Sequence, residues 1–514
     1  MDPDPDIELY LTAGEAFPAL ERAFLTARSE IFAGFRIFDL TTRLRSDEAR
    51  EIGETWFDLI AHTLSRGVAV TFTLSDFDPV VRPELHRGSW RSHRMFLAAA
   101  EHSDHPDLLT VRVAMHPATV GWLPRLALWP KTYGLLKDMA RDLNALGADK
   151  RQTHLEDMPG LAPLLKRSDA GVTAKAWPPA QLIPATHHQK LAVFDSAAVY
   201  IGGLDLDERR YDTPEHERMA EETWHDAHMM VRRVDLAASA RQHLLSFWKD
   251  DAITIAEMPS GGFLRTLSAP RKFNLLSMSP RQEIAEIANA HMTEAAKATR
   301  LIYLETQFFR DRRLAEKLAQ AARENPDLSL ILILPAAPED VAFENTQSSD
   351  KRYGEYLQAK CVAILRAAFD VRLFIGAPAR PTSETRHDPG RAALAGAPIV
   401  YVHAKVSVFD ETAAVISSAN LNGRSHYWDT EAGVLIRDPH AVRGIRRQCM
   451  AHWLPEDTGA EYFEVETATQ AWAALADENE GAAPHERRGF LLPYPDAPAR
   501  RFGKNLPGVP EEMV

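Results

Sequence analysis

Two short segments of the chain carry the same reactive side chains in the same order. His188 and Lys190 are followed by Asp195, and His403 and Lys405 by Asp410. Residues two apart on a strand point to the same face. Each segment therefore sets an imidazole beside an ammonium, while Gln189 and Ala404 point away. Downstream, Gly202-Gly203 and Ser417-Ser418 are small enough to let the backbone approach an anion, and Asn420 carries an amide donor. Phosphoryl transfer needs this set: a nucleophile, a proton donor for the leaving oxygen, and cations around the phosphoryl oxygens. Imidazole can fill either of the first two roles near neutral pH. With the segments face to face, one histidine attacks phosphorus to give a phosphohistidine. The other protonates the departing alcohol and then deprotonates water. A single His-x-Lys says little; two copies with the same Val-Phe-Asp ending say much more.

Such segments need a scaffold that presents them as a pair, and the chain reads as two passes through one α/β theme. In the first pass, residues 16–29 have helical spacing, 30–38 read as a buried strand, 47–66 as a helix and 68–74 as a strand. In the second, 283–298, 300–308, 311–324 and 328–334 repeat the order helix, strand, helix, strand. Alternation of this kind predicts α/β layers on a mixed or parallel sheet. Its repetition predicts an internal duplication. Each pass then ends in a β-hairpin that begins at the His-x-Lys segment. The expected fold is two similar α/β/α lobes with pseudo-twofold symmetry and the active site at their seam. The first lobe spans 1–262, with an insertion at about 78–180. The second spans 263–478 and a tail covers 479–514. The Pro- and Gly-bearing stretch from Pro259 to Pro280 reads as the linker, and the Pro-, Gly- and Arg-rich tail as irregular. Within the insertion, the run from Val120 to Pro130 reads as a helix start packed on the body. Its alternative is a lip that dips into lipid, with Trp122 and Trp129 among aliphatics and Arg125 and Lys131 nearby.

The paired segments resemble the hallmark of the phospholipase D superfamily, His-x-Lys-x4-Asp-x6-Gly-Ser-x-Asn, which occurs twice in its members. Spacing agrees in both copies. Gly203 and Asp205 stand where the first copy would have Ser and Asn, and Ser417 where the second would have Gly. A Gly-Gly-x-Asp element is typical of the eukaryote-type branch. Three further segments resemble that branch: Ile-Tyr-Leu-Glu-Thr-Gln-Phe-Phe at 302–309, Arg-Tyr-Asp-Thr-Pro at 210–214 with Trp-His-Asp at 224–226, and Asn-Leu-Asn-Gly-Arg-Ser at 420–425 with Asp-Thr-Glu at 429–431. The resemblance implies His188 as nucleophile and His403 as general acid, then base, though the two could exchange roles. Lys190, Lys405 and Asn420 would bind phosphoryl oxygens. Asp226 would orient His188 and Glu431 would orient His403. Asp195 and Asp410 would organise the hairpin turns. A carboxylate at 205 would repel phosphate and is not expected to bind it. The implied reaction cleaves the distal phosphodiester of a glycerophospholipid at a membrane surface, giving phosphatidic acid and an alcohol, with transphosphatidylation to a primary alcohol. A cardiolipin synthase-like phosphatidyltransferase, a nuclease and a non-catalytic lipid-binding relative are the alternatives.

Two lysines already supply cationic stabilisation, so no catalytic metal and no other cofactor is expected. The Thr223 to His228 segment fits no standard zinc spacing. Of the remaining histidines, His62, His116 and His228 read as core or surface residues, and His187 should face away from His188. Glu305 and Gln307 read either as pocket-lining or as structural. The formal net charge of −13 disfavours a nucleic-acid partner. Cys361 and Cys449 are too few for a disulfide framework and read as free thiols of a reducing compartment. The acidic start from Met1 to Ile7 resembles no secretory signal, and no apolar run is long enough to span a bilayer. A cytoplasmic protein, peripheral at membranes, is the expectation.

Overall fold

The computed structural model describes residues 6–248, 260–344 and 346–514. The start from Met1 to Pro5 and the linker residue Pro259 lie outside them. The first lobe is built on a seven-stranded mixed sheet. Its strands are β1 (Ile7–Thr12), β2 (Glu30–Phe35), β3 (Ala69–Ser75), β4 (Leu109–Ala114), β5 (Lys190–Phe194), β6 (Ala198–Gly202) and β7 (His225–Val231), in the spatial order β1-β7-β6-β5-β2-β3-β4. The second lobe has nine strands: β8 (Phe263–Ala269), β9 (Arg281–Ala285), β10 (Leu301–Thr306), β11 (Ser329–Ile333), β12 (Leu373–Pro378), β13 (Lys405–Phe409), β14 (Ala413–Ser417), β15 (Glu431–Ile436) and β16 (Leu491–Pro493). Their order is β9-β8-β15-β14-β13-β10-β11-β12-β16. In both sheets three strands run parallel, β2-β3-β4 and β10-β11-β12, and the motif hairpin pairs antiparallel beside them. Register repeats too. Lys190 lies opposite Phe35 and Lys405 opposite Thr306, each the last residue of its neighbouring strand.

The motif strands are buried along their whole length, as strands covered on both faces must be. Leu191, Val193 and Ile201 of the first hairpin and Val406, Val408 and Ile416 of the second belong to one apolar core shared by the lobes. The helices Val234–Ser246 and Pro439–Trp453 contribute Leu244, Val442 and Trp453 to it. Trp453 is fully buried there, and its truncation to alanine would cost about 3–5 kcal/mol. The outward face of each sheet carries its own helices. Phe24, Trp56 and Phe96 pack on the first, and Leu314, Leu318, Leu365 and Phe369 on the second. The α/β layering and the duplicated order follow the sequence expectation.

Three expectations change. The stretch beginning at Asp78 is not all insertion: the helix Pro83–Glu101 leads into β4, as the helix Ser349–Phe369 leads into β12. The exposed face of β4 and the charged helix hid this unit from a hydrophobic reading. The helix at 47–66 is two helices, Asp47–Arg50 and Trp56–Ser65. The second restarts at a capping box in which Asp58 accepts from the Thr55 N–H. The tail is ordered: β16 closes the sheet edge beside β12, and Arg313 pairs with Glu512. The Val120–Pro130 run opens the helix Trp122–Ala145, whose start hydrogen-bonds to the loop at 274–277. Among the described residues no helix is long and apolar enough to cross a membrane.

Candidate active site

Each hairpin lifts its histidine out of the sheet just before the strand begins. A parallel bridge to the other lobe fixes that point. His187 bridges Thr430, with the His188 N–H donating to the Thr430 carbonyl at 2.8 Å. Val402 bridges His225, with the His403 N–H donating to the His225 carbonyl at 2.7 Å. The residue before one histidine thus meets the residue before the other lobe's acid, and the pseudo-twofold repeats the arrangement.

This register overturns the expected pairing of acids with histidines. His188 Nδ1 lies 3.1 Å from Glu431 Oε2, and His403 Nδ1 lies 2.5 Å from Asp226 Oδ2. Each imidazole is held by the acid of the opposite lobe. The physical reason is strand direction: β7 and β15 start at the seam, so their first carboxylates face across it rather than back toward their own hairpins. A carboxylate on Nδ1 fixes the tautomer and leaves Nε2 for chemistry.

The lysines stand where same-face spacing puts them. Lys190 Nζ is 3.3 Å from His188 Nε2 and donates to the His188 carbonyl at 2.6 Å. Lys405 Nζ is 2.8 Å from His403 Nδ1 and also donates to the His403 carbonyl. Lys190 is fully buried, while the side chains of His188 and His403 stay 15% and 9% exposed, so the histidines remain reachable from outside. Burial, then the neighbouring lysine, holds each imidazole well below its ordinary range. Burial pushes Asp226 up to about 7 against the pull of Lys405, and Glu431 up to about 8 against that of Lys190. Burial also brings Lys405 down to about 7, opposed by Asp226. An anionic phosphodiester entering here would favour the protonated forms of Lys405, Asp226 and Glu431.

The departures from the repeated motif have local causes. Gly202 lies opposite His228, and a Cβ on it would overlap the Ala227 carbonyl. In the second copy Ser417 lies opposite Gly433, so the small partner has moved to the other strand. A Cβ on Gly203 would overlap the Asp226 carboxylate, whereas its counterpart Ser418 uses its hydroxyl to donate to Glu431 Oε2 at 2.5 Å. Asp205 faces cations: Arg36 at 3.1 Å and Lys190 at 3.8 Å, which hold its carboxylate low although burial opposes them.

Asp195 and Asp410 lie at the far ends of the hairpins, at φ 50° and 51°, a left-handed conformation that Asp tolerates. Asp195 accepts from the N–H groups of Arg28, Ser29 and Glu30, and Asp410 from those of Thr299, Arg300 and Leu301. They sew each turn to the neighbouring strand. Asn420 is buried after β14, and its Oδ1 has no protein partner. Glu305 and Gln307 are structural: Glu305 accepts from Tyr303 and Trp453 and contacts His225, and Gln307 donates to the Tyr401 hydroxyl. His187 contacts Thr430 Oγ1 on the opposite face, and His116 and His228 are core residues. Sequence reasoning missed Arg36, and it placed Ser418 and Arg210 within motif segments without assigning these contacts. The Arg210 guanidinium covers Trp224 at 3.6 Å, and Trp224 in turn packs on His403. Ser418 was legible as the counterpart of Gly203 and Arg210 as part of the 210–214 segment; Arg36 carried no pattern signal.

Comparison with known proteins finds the following likenesses. Residues 292–453, which carry the second motif, match the family described as cardiolipin synthase, PLD-like domain. Phospholipase D1 of Schizosaccharomyces pombe is 23% identical over 345 residues, 49% of this chain and 25% of that protein. Phospholipase D1 of Saccharomyces cerevisiae is 21% identical over 348 residues, 50% of this chain and 20% of its own length. The match thus spans a quarter or less of these relatives. Among solved structures, phosphatidylserine synthase of Haemophilus influenzae aligns over 98% of this chain and 93% of its own, with 13% identity and a TM-score of 0.49. The family match over residues 292–453 and the two relatives make the chain similar to phospholipase D-like proteins and support that superfamily.

Proposed function

We propose that this chain is a phospholipase D that cleaves the distal phosphodiester of glycerophospholipids through a phosphohistidine, giving phosphatidic acid and a free alcohol. The carrying observation is the pair of imidazoles, each held at Nδ1 by an opposite-lobe carboxylate and flanked by a lysine. His188 Nε2 attacks phosphorus with its lone pair, since burial and Lys190 keep it neutral. His403 gives a proton from Nε2 to the leaving alcohol while Asp226 holds its Nδ1, and Nε2 then takes a proton from water. Lys190, Lys405 and Asn420 receive the phosphoryl oxygens. The chemistry needs no metal: the lysines supply the cationic stabilisation.

A lipid substrate draws support from an exposed apolar rim. Phe273 is 96% exposed, and Leu275, Leu276, Trp177 and Leu123 are exposed beside it in sequence or across the contacts of the 121–123 and 274–277 segments. Trp122 packs edge-on against Trp177 and carries Arg125 over its ring, and Arg271 and Lys272 precede Phe273. Aromatic and aliphatic side chains ringed by basic ones suit an anionic bilayer surface.

The test is purified protein with mixed phospholipid micelles, 1-butanol and EDTA, read by mass spectrometry for phosphatidylbutanol. Product that vanishes in His188→Ala and in His403→Ala is expected. No product from any phospholipid, with the protein folded, would sink the assignment. Phosphatidyl transfer to a glycerol-type acceptor is the second reading, favoured by the family whose description matches residues 292–453. Replacing butanol by phosphatidylglycerol in the same assay separates the two by product mass.

A further inference from the structure

A second histidine cluster lies away from the His-x-Lys pair. His216 comes from the loop between β6 and β7, His225 opens β7, and His452 ends the second-lobe helix Pro439–Trp453. One ring nitrogen from each lies within 4.8 Å of the other two. His216 and His225 are fully buried, and His452 is partly exposed. His225 and Asp226 are adjacent on a strand, so they face opposite ways and only Asp226 serves the catalytic imidazole.

The hydrogen bonds around the cluster prepare lone pairs rather than donors. Asp212 Oδ2 lies 2.6 Å from His216 Nδ1, so that nitrogen carries the proton and Nε2 is bare. Asp212 Oδ2 also accepts from the Trp224 N–H at 2.6 Å, which fixes the carboxyl group in place. Glu305 Oε2 lies 2.7 Å from His225 Nε2, while Glu305 Oε1 accepts from Tyr303 and, at 3.1 Å, from Trp453. With Nε2 engaged, His225 Nδ1 is left buried without any partner. His452 Nε2 lies 2.9 Å from His216 Nε2, with no carboxylate between them. A metal-bound imidazole characteristically offers its other nitrogen to a carboxylate in this way.

Charge points in the same direction. Asp212 and Glu305 are wholly buried, and their ion-pair partners among the described residues are the two histidines, with no lysine or arginine. The surroundings are apolar and aromatic: Trp453 packs at 4.2 Å from the His225 ring, and Phe490 stacks on His452. The two buried carboxyl groups thus meet imidazoles rather than basic side chains, an arrangement that orients ring nitrogens toward a shared cation.

We propose that His216 Nε2, His225 Nδ1 and His452 bind one Zn2+ that ties the first lobe to the second, with Asp212 and Glu305 as the orienting carboxylates. Three neutral imidazoles suit Zn2+, and the partly exposed His452 side leaves a fourth position for water. The ion clamps β7 and the loop before it to the Pro439–Trp453 helix. The His225 side chain lies on the opposite face of β7 from Asp226, and the proposal does not depend on the reaction that Asp226 serves.

The test strips the full-length chain with a strong chelator, dialyses it into metal-free buffer and titrates it with Zn2+ against a chromophoric chelator. One ion per chain is expected, with Co2+ giving the visible absorption of a tetrahedral nitrogen site and the apo form melting at a lower temperature. His452→Ala should lose the stoichiometric ion. Glu305→Gln should weaken Zn2+ binding about 10–100-fold. His188→Ala should leave the stoichiometry unchanged. No bound ion on the wild type, which needs no variant to fold, overturns the site, as does unchanged 1:1 binding in His452→Ala.

Discussion

Replacing Asp226 by Asn separates the two lobes' roles, because the structure assigns this acid to the opposite lobe's histidine. Asn preserves the shape but presents an amide to His403 Nδ1, which in the native site lies 2.5 Å from a carboxylate oxygen. The imidazole then loses its preferred tautomer and the partner for its positive charge. Equivalent losses in other acid-oriented histidines cost about 10⁴-fold in kcat, or about 5 kcal/mol at 1.36 kcal/mol per decade. The loss should be selective. A phosphatidyl ester of p-nitrophenol needs little help from a general acid, so His188, still held by Glu431, should release about one nitrophenol per chain in a burst. Hydrolysis of the intermediate, which needs His403 as base, should remain slow. Glu431→Gln should instead suppress the burst itself. If Asp226→Asn abolishes the burst and Glu431→Gln spares it, the acids serve their own lobes and the cross-lobe reading is refuted.

The same substitution makes a stability prediction of the opposite sign. Burial raises Asp226 from an ordinary 3.8 to about 7, so folding takes up a proton there between those values. A raised folded pKa gives stability that is present below about 4 and lost as pH rises to about 7. The difference amounts to roughly 4 kcal/mol, at 1.36 kcal/mol per unit, that Asn would not forfeit at high pH. Urea melts should therefore find Asp226→Asn equal to wild type near pH 4 and more stable at pH 8. Equal or lower stability of the variant at pH 8 would show that the charged carboxylate is compensated in place.

Other perturbations follow from the same geometry. Gly203→Ala drives a Cβ into the Asp226 carboxylate and to 3.1 Å from Lys405 Cδ; kcat/KM should fall about 100-fold with circular dichroism unchanged, and full activity would contradict that packing. Lys405 and Asp226 both lie near 7, so kcat/KM should decline above about pH 7 as their protons leave. The acid limb should fall well below 6.5 because His188 is depressed. An acid limb at 6.5 would refute that assignment. Phe273→Ser with Leu276→Ser should reduce sedimentation with anionic vesicles more than tenfold, at about 1.5–3 kcal/mol per buried side chain. Turnover of a monomeric short-chain substrate should be unchanged, and undiminished vesicle binding would remove the rim from the argument. Asp195→Ala strands the N–H groups of Arg28, Ser29 and Glu30 and should cost about 2–3 kcal/mol in urea unfolding, with activity per folded molecule retained.

The sequence made the two His-x-Lys segments legible because same-face spacing on a strand is a local property. It made the α/β order legible because buried strands such as Val68 to Leu74 and Leu328 to Leu334 carry continuous apolar runs. It hid the unit from Pro83 to Ala114, whose helix is charged and whose strand is half-exposed at an edge. It could not give the partner of either acid. Asp226 lies 38 positions after His188 and 177 before His403, and only the parallel bridges at Thr430 and Val402 decide between them. Arg36 and His452 were invisible for the same reason, since each enters its cluster through tertiary contact alone.

The cross-lobe pairing also explains why two motifs with unequal residues can serve one reaction. In the second copy Ser418 adds a hydroxyl bond to Glu431, so the carboxylate that holds His188 is fixed from its own lobe as well as by its partner. In the first copy Gly203 leaves Asp226 without such a bond, and Asp226 holds His403 more closely instead, at 2.5 Å to the imidazole. A carboxyl group fixed by Ser418 beside His188 suits a histidine that must hold one orientation for attack. A short bond to an acid near pH 7 suits one that must give and then recover a proton. The asymmetry therefore argues for His188 as nucleophile and His403 as acid and base. It predicts that phosphate trapped from a slow substrate will be found on His188, by tandem mass spectrometry of the acid-labile adduct kept at alkaline pH. Phosphate on His403 instead would mean that the Ser418 bond serves only packing, and the roles would exchange.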